Sequence, residues 1–399
     1  MLKSLTWQQS DNYRGYLDAL SMIGYDFRMN ELDDTIDVNG EPISDPLEAV
    51  IKSKLRDLGY GKQLSAIRDA YTRYAYEHSY HPIKEYLEAL EWDGQAHITM
   101  LARHFTDAHG VFDVWLRRWL IGAVAKVYLA TQNYMLVLDG PQGIGKSVFA
   151  SWLGSVMKDY FVEGAIQPEN KDFILRLANK WIWEVSELGS TTKKADREAL
   201  KAFITTQVVV ARKPYGRHDI KKPALASLIG TINDEAGFLN DPTGSRRFLV
   251  CNIQHIDWRY TKNIDPNQVW AEAYHAFRAG ESWTLTADDK KQQININQYY
   301  ETEDPIETAI QMSYRIVTPD LSTWVSTRDV LLSIGLDDRN IGHARRVSTI
   351  LKKLGCKRDR GQLPNGQRVN GWLGLEPLHG DVLSESERIA SSVFGGSSG

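Results

Sequence analysis

From Tyr134 to Leu153 the chain reads YMLVLDGPQGIGKSVFASWL, the stretch that restricts the fold most tightly. Met135 to Leu138 are apolar without a break, Asp139 closes the run, and a glycine-rich turn leads into a helical pattern. A short apolar run bounded by turn residues reads as a buried strand. Gly140 to Ser147 then satisfies G-x-x-x-x-G-K-[ST]. Glycines let the backbone turn several N–H groups inward around a phosphate. The helix start aims its free N–H groups and positive dipole end at the same anion. The spacing therefore predicts a nucleotide cradle made of Gly140, Pro141, Gln142, Gly143, Ile144, Gly145, Lys146 and Ser147, with Val148 just beyond. Lys146 is expected to reach the β- and γ-phosphates, and the Ser147 hydroxyl to help hold Mg²⁺.

Hydrolysis needs an acid at the end of a neighbouring strand. In KWIWEVSELGS, strand alternation turns Trp181, Trp183 and Val185 to one face and Ile182, Glu184 and Ser186 to the other. Glu187 is the candidate for activating water, and Glu184, an acid inside an apolar strand, for metal linkage or support. Asn233 ends a further apolar run, LIGTIN, where an amide can orient water or sense the γ-phosphate. Arg246 and Arg247 precede the run FLVCNI; an arginine offered to a neighbouring subunit's phosphate would stabilise charge in the transition state. Together with KDFILRLANK and KADREALKAFITT, which read as helices, these runs alternate as an α/β unit with a largely parallel sheet.

Taken in order, GPQGIGKS, WIWEVSEL, LKAFITTQVVVARKPYGR, GTIND and TGSRRFLV resemble the virulence-associated protein E family, itself similar to the superfamily 3 (AAA+) helicases of phages, plasmids and DNA viruses. YHPIKEYLEALEWDG resembles the family's lead-in, so the resemblance covers about residues 75–253. It implies an α/β P-loop (AAA+-like) ATPase core that uses ATP and Mg²⁺, forms a ring-shaped homo-oligomer (a hexamer), and translocates on single-stranded DNA in replication of a mobile element. It maps Lys146 and Ser147 to the first nucleotide motif, Glu184 and Glu187 to the second and Lys201 to the segment after it. Asn233 falls at the sensor, and Arg246 or Arg247 at the arginine finger. It also assigns a DNA-gripping hairpin to the basic stretch before the sensor strand, with Lys213, Arg217, His218 and Lys222 as candidates. A P-loop ATPase acting as a loader or a defence or regulatory switch, or a DNA-binding oligomer with little catalysis, are the alternatives.

Some members of the wider group carry a primase. Residues 1–100 offer no paired metal-binding carboxylates on strands, and NELDDTID reads as a solvated acidic turn. A separate primase or replication initiator is therefore the expected partner. The expected division is a helical N-terminal domain (1–104), the ATPase domain (105–300), a winged-helix-like domain (301–380) and a flexible tail (381–399). The polar stretch DDKKQQININQYYETED reads as a linker. In the C-terminal part, TRDVLLSIG and NIGHARRVSTILKKLG read as two helices, followed by strands around a Pro-Asn-Gly turn. Arg345, Arg346, Lys353, Arg358 and Arg368 are candidates for DNA phosphate contact there. The formal charge of −4 excludes a uniformly basic surface, so nucleic-acid contact has to be local. Two cysteines without metal spacing, no apolar run long enough to span a bilayer and no leader-like start give the expectation of a cytoplasmic protein without membrane contact.

Overall fold

A computed structural model describes residues 13–60, 64–166, 171–186, 202–211, 219–233, 239, 245–300, 305–320, 323–362 and 367–378. The chain divides into two compact units, Met1–Glu301 and Thr302–Gly399.

The first unit begins with α1 (Tyr13–Met22), an antiparallel sheet of β1 (Phe27–Asn30), β2 (Thr35–Val38) and β3 (Glu41–Pro42), then α2 (Asp45–Asp57) and α3 (Leu64–Glu77). Tyr16, Leu20, Phe27, Ile51, Leu55, Ile67 and Tyr71 form its own core. The sheet departs from the all-helical expectation for this region. Its cause is local: Val38 pairs with Glu41, leaving Asn39 and Gly40 as a two-residue turn with φ of 52° and 89°. Asn-Gly at positive φ is the turn whose twist suits a hairpin.

Next come α4 (Pro82–Glu88), α5 (His97–Ala102), β4 (Phe105–Asp107), α6 (Phe112–Leu129), β5 (Met135–Asp139), α7 (Lys146–Gly154), β6 (Phe161–Glu163), α8 (Lys171–Asn179) and β7 (Ile182–Val185). They are followed by β8 (Val208–Ala211), β9 (Ile220–Pro223), β10 (Ser227–Thr231) and β11 (Phe248–Ile256). A mixed six-stranded sheet has the order β4-β11-β5-β10-β7-β6. All neighbours run parallel except β4, which lies antiparallel on β11. The chain leaves β5 for the far edge at β6, steps back through β7 and β10, and passes β5 to reach β11. That reversal makes the carboxyl end of β5 a topological switch point, where such sheets leave a crevice for a ligand.

The packing around β5 is aromatic. Trp115, Trp119, Trp181, Trp183 and Trp270 are all fully buried, and the rings of Trp181 and Trp270 lie 4.2 Å apart. A buried indole needs a partner for its N–H. Trp119 donates to the Leu228 carbonyl (3.0 Å), Trp181 to Ala123 (3.3 Å) and Trp270 to Leu153 (3.0 Å), tying α6 to β10 and β7, and the end of α7 to the helix Pro266–Arg278. Lys126, also buried, donates to the Ala226 carbonyl (2.6 Å), and burial lowers its pKa to about 8.

The expected linker is a helix, Ala287–Gln298, opened by a capping box between Thr286 and Asp289. Its polar composition hides two structural amides one turn apart. Gln293 donates to the Arg246 (3.0 Å) and Phe248 (2.8 Å) carbonyls, and Asn297 to the Ser245 (2.8 Å) and Phe248 (3.2 Å) carbonyls. These amides donate to backbone carbonyls at and just before the start of β11.

The second unit holds β12 (Tyr314–Ile316), β13 (Val325–Ser326), the helices Thr327–Ser333 and Ile341–Lys353, β14 (Lys357–Gln362), β15 (Arg368–Leu373) and β16 (Leu375–Pro377). β14 and β15 form an antiparallel hairpin, with β13 on the other side of β15. Val330, Val347, Leu351 and Trp372 are in its core. No helix among the described residues is long and apolar enough to cross a membrane.

Candidate functional site

The turn after β5 is built so that only glycine fits at two of its corners. Gly140 has φ of 142°, and a Cβ there would stand 2.0 Å from the Ile253 carbonyl oxygen on β11. Gly145 has φ of 108°, and its Cβ would meet the Trp258 indole at 2.6 Å. Gly145 caps α7 without a side-chain hydrogen bond, so the first N–H groups of the helix face the turn. Pro141, Gln142 and Gly143 are exposed, Ile144 packs against the core, and Val148 is exposed on the first turn.

Lys146 is buried and folds back over the turn. Its Nζ donates to the carbonyls of Gly140 (2.6 Å) and Pro141 (2.8 Å) and to Asn233 Oδ1 (3.1 Å). Asn233 follows β10, which runs parallel beside β5, and this is what brings two residues 87 positions apart into contact.

Glu184 pairs in register with Ile229 of β10 on one side and Glu163 of β6 on the other, and is fully buried. Its Oε1 accepts from the Thr231 hydroxyl (3.3 Å), and the Ser147 side chain lies beside its carboxyl group, where it favours the ionised form. Oε2 is buried without any hydrogen-bond partner. Burial, the largest cause, raises the Glu184 pKa above the usual carboxylate range. An orphaned carboxylate oxygen beside a serine hydroxyl suits a hard cation that takes its other oxygens from phosphate and water. Among the described residues no group of three or more His, Cys, Asp or Glu could hold a metal unaided, so such a cation would need a phosphate ligand.

Asp139 closes β5 at the root of the turn and is buried. Its Oδ2 accepts from the Tyr300 hydroxyl (2.7 Å) and Asn252 Nδ2 (3.1 Å), anchoring the root of the turn to β11 and to the residue two beyond the helix Ala287–Gln298. The available signal was an acid closing a wholly buried strand.

Arg246 and Arg247 form a short 3₁₀ turn before β11. Phe248 pairs with Met135 at the start of β5 and Asn252 with Asp139 at its end. At about 3.3 Å per residue the paired span alone covers roughly 13 Å, so the two arginines lie farther than that from the glycine turn, at the opposite end of these neighbouring strands. They are not part of the site in their own chain.

Glu187, Lys201, Lys213, Arg217 and His218 lie outside the described residues. The flanks of the basic segment are an antiparallel pair, β8 with β9, apart from the main sheet. Lys222 on β9 is held by the N-terminal hairpin: its Nζ reaches Asp34 (2.6 Å) and the carbonyls of Glu31 (2.6 Å) and Leu32 (2.9 Å). The acidic turn read as solvated is thus a docking element, further tied by the Tyr160 hydroxyl, which donates to Asp33 (3.3 Å) and accepts from Asn30 (3.0 Å). In the second unit Arg345, Arg346, Arg358 and Arg368 are exposed, and Lys353 pairs with Glu307 (3.0 Å).

Comparison with known proteins adds a family. The model of the virulence-associated protein E-like domain matches residues 87–302. Among solved structures, the apo structure of the NrS-1 C-terminal region is similar in fold, with a TM-score of 0.52 at 12% identity over 90% of this chain and 98% of that one. An A-form apo structure of the same region gives 0.51 at 12% identity and the same coverage. No curated protein matches the chain in sequence.

Proposed function

We propose that this chain, which belongs to the virulence-associated protein E-like family, is a P-loop ATPase of AAA+ type that works as a ring-forming DNA helicase or translocase in replication of a phage or other mobile element. The observation that carries the reading is the convergence at the carboxyl ends of parallel strands: Lys146 on Asn233, and Ser147 on the buried Glu184. ATP would lie with its phosphates over Gly140–Gly145, in reach of Lys146 and the α7 N-terminus. Ser147 and Glu184 would hold Mg²⁺ and its water shell. With the nucleotide, that ion neutralises charge developing on the phosphate oxygens.

The position of Arg246 and Arg247 supports a shared site, because both lie at the opposite end of their strand from their own turn. Mixing an Arg246→Ala, Arg247→Ala protein with a Lys146→Ala protein is therefore expected to restore hydrolysis above either alone, since some interfaces then pair an intact turn with an intact arginine. A mixture no more active than the sum of its parts would remove the finger role. The exposed arginines of the helix Ile341–Lys353 and of the β14–β15 hairpin support a winged-helix-like DNA contact in the second unit.

A switch or loader is the second reading, favoured by Lys222, whose attachment to Asp34 tethers one strand of the pair flanking the basic segment. The test is ATP hydrolysis with and without single-stranded DNA. Strong stimulation supports the motor; hydrolysis indifferent to DNA favours the switch; no hydrolysis removes both.

A further inference from the structure

We infer that Trp258 is the platform on which the nucleobase stacks, an inference that rests on the nucleotide reading of the glycine turn. Among the described residues Trp258 is the only exposed tryptophan, 48% accessible, whereas those around β5 are buried in the core. It stands two residues beyond β11, with its six-membered ring against Gly145, close enough that any Cβ at that position would collide with it. Val148, three residues along α7 and so on nearly the same side as Gly145, is another exposed apolar side chain.

The direction of the site selects this place for the base. The groups suited to the reacting end of a triphosphate, Asn233 just after β10 and Glu184 on β7, lie on one side of β5. With its γ-phosphate there, the nucleoside end extends to the other side of β5, toward β11 and the residues after it. Trp258 is an exposed aromatic just beyond β11, with its ring against the glycine turn. Its turn is braced rather than loose: the Asp257 N–H donates to the His104 carbonyl (2.8 Å), the Asp257 carboxylate meets His104 (3.2 Å) and Arg259 (2.8 Å), and the Thr261 hydroxyl donates to the Trp258 carbonyl (2.9 Å). A rigid indole face accepts a base through its π-surface, not its edge, so purines of either kind fit.

Binding of ATP and of inorganic tripolyphosphate, each with Mg²⁺, tests this in the full chain by calorimetry. Stacking on an aromatic is worth enough to weaken ATP binding by roughly ten- to a hundredfold when it is removed. Trp258→Ala is expected to bind ATP weaker by that factor and tripolyphosphate as wild type does, with Trp258→Phe retaining most ATP affinity. ATP should also quench wild-type tryptophan emission more than Trp258→Phe emission. Unchanged ATP affinity in Trp258→Ala would overturn the platform and leave the phosphate site standing. Equal loss of ATP and tripolyphosphate would overturn it too, by making the indole a prop for Gly145. Wild-type protein that binds neither ligand would instead remove the nucleotide reading.

Discussion

Glu184→Gln is expected to lower ATP turnover by roughly 10²- to 10⁴-fold while leaving ATP affinity near that of wild type. The amide keeps the shape and can still meet the Thr231 and Ser147 hydroxyls, but it removes the charge that would hold a magnesium water shell. The same substitution should stabilise the protein without ligand. A fully buried carboxylate with one orphaned oxygen bears an uncompensated desolvation cost when ionised. The sign follows from its raised pKa: between the unfolded and folded values the folded chain binds more protons, so wild-type stability falls as pH rises through that interval. The glutamine variant lacks this fall and should melt higher at neutral pH, by about 2–4 °C for each kcal/mol relieved in a domain of moderate size. Thermal melts of both proteins from acid to neutral pH, paired with a turnover assay, read the two effects separately. Parallel melts would mean that the carboxylate is not destabilising, and full turnover in the variant would exclude Glu184 from the reaction.

Lys146→Ala should abolish measurable hydrolysis and weaken ATP binding by roughly 10²-fold or more, the scale on which removal of a key electrostatic contact acts. Without ligand the ammonium is already committed to three oxygens, from Gly140, Pro141 and Asn233. Removing it also leaves those acceptors without their donor, at about 1–3 kcal/mol for each that water cannot reach. Lower stability and lost binding are accordingly expected together, whereas Glu184→Gln separates them. Calorimetric titration with ATP and a turnover assay decide the matter together: affinity within threefold of wild type with full turnover would make Lys146 a purely structural residue, and wild-type affinity with lost turnover would confine its role to the transition state.

Much of the core was legible because its signals are short-range. The glycine turn, the strand before it and the helix after it lie within twenty residues, and each is dictated by its own neighbours. The same holds for the helix–helix–hairpin order near the C-terminus. Strands β4 and β6, of three residues each, went unread because so short a run carries no periodicity. The helix Ala287–Gln298 has the composition of a linker because two of its three buried residues are amides, which look like solvent-facing residues until Gln293 and Asn297 meet the carbonyls at the start of β11. The acidic turn at 31–34 misled for the same reason, since its charge is answered by Lys222, 188 positions away from Asp34.

Chain chemistry by itself establishes that a phosphate-sized cradle follows a buried strand, since glycine conformation, helix polarity and a lysine at the turn are local properties. Only the folded sheet decides what that cradle faces. Parallel pairing is non-local: it is what joins Asn233, a candidate from its place at the end of an apolar run, to Lys146, brings Tyr300 to Asp139, and sets Arg246 and Arg247 at the opposite end of the strands from their own turn.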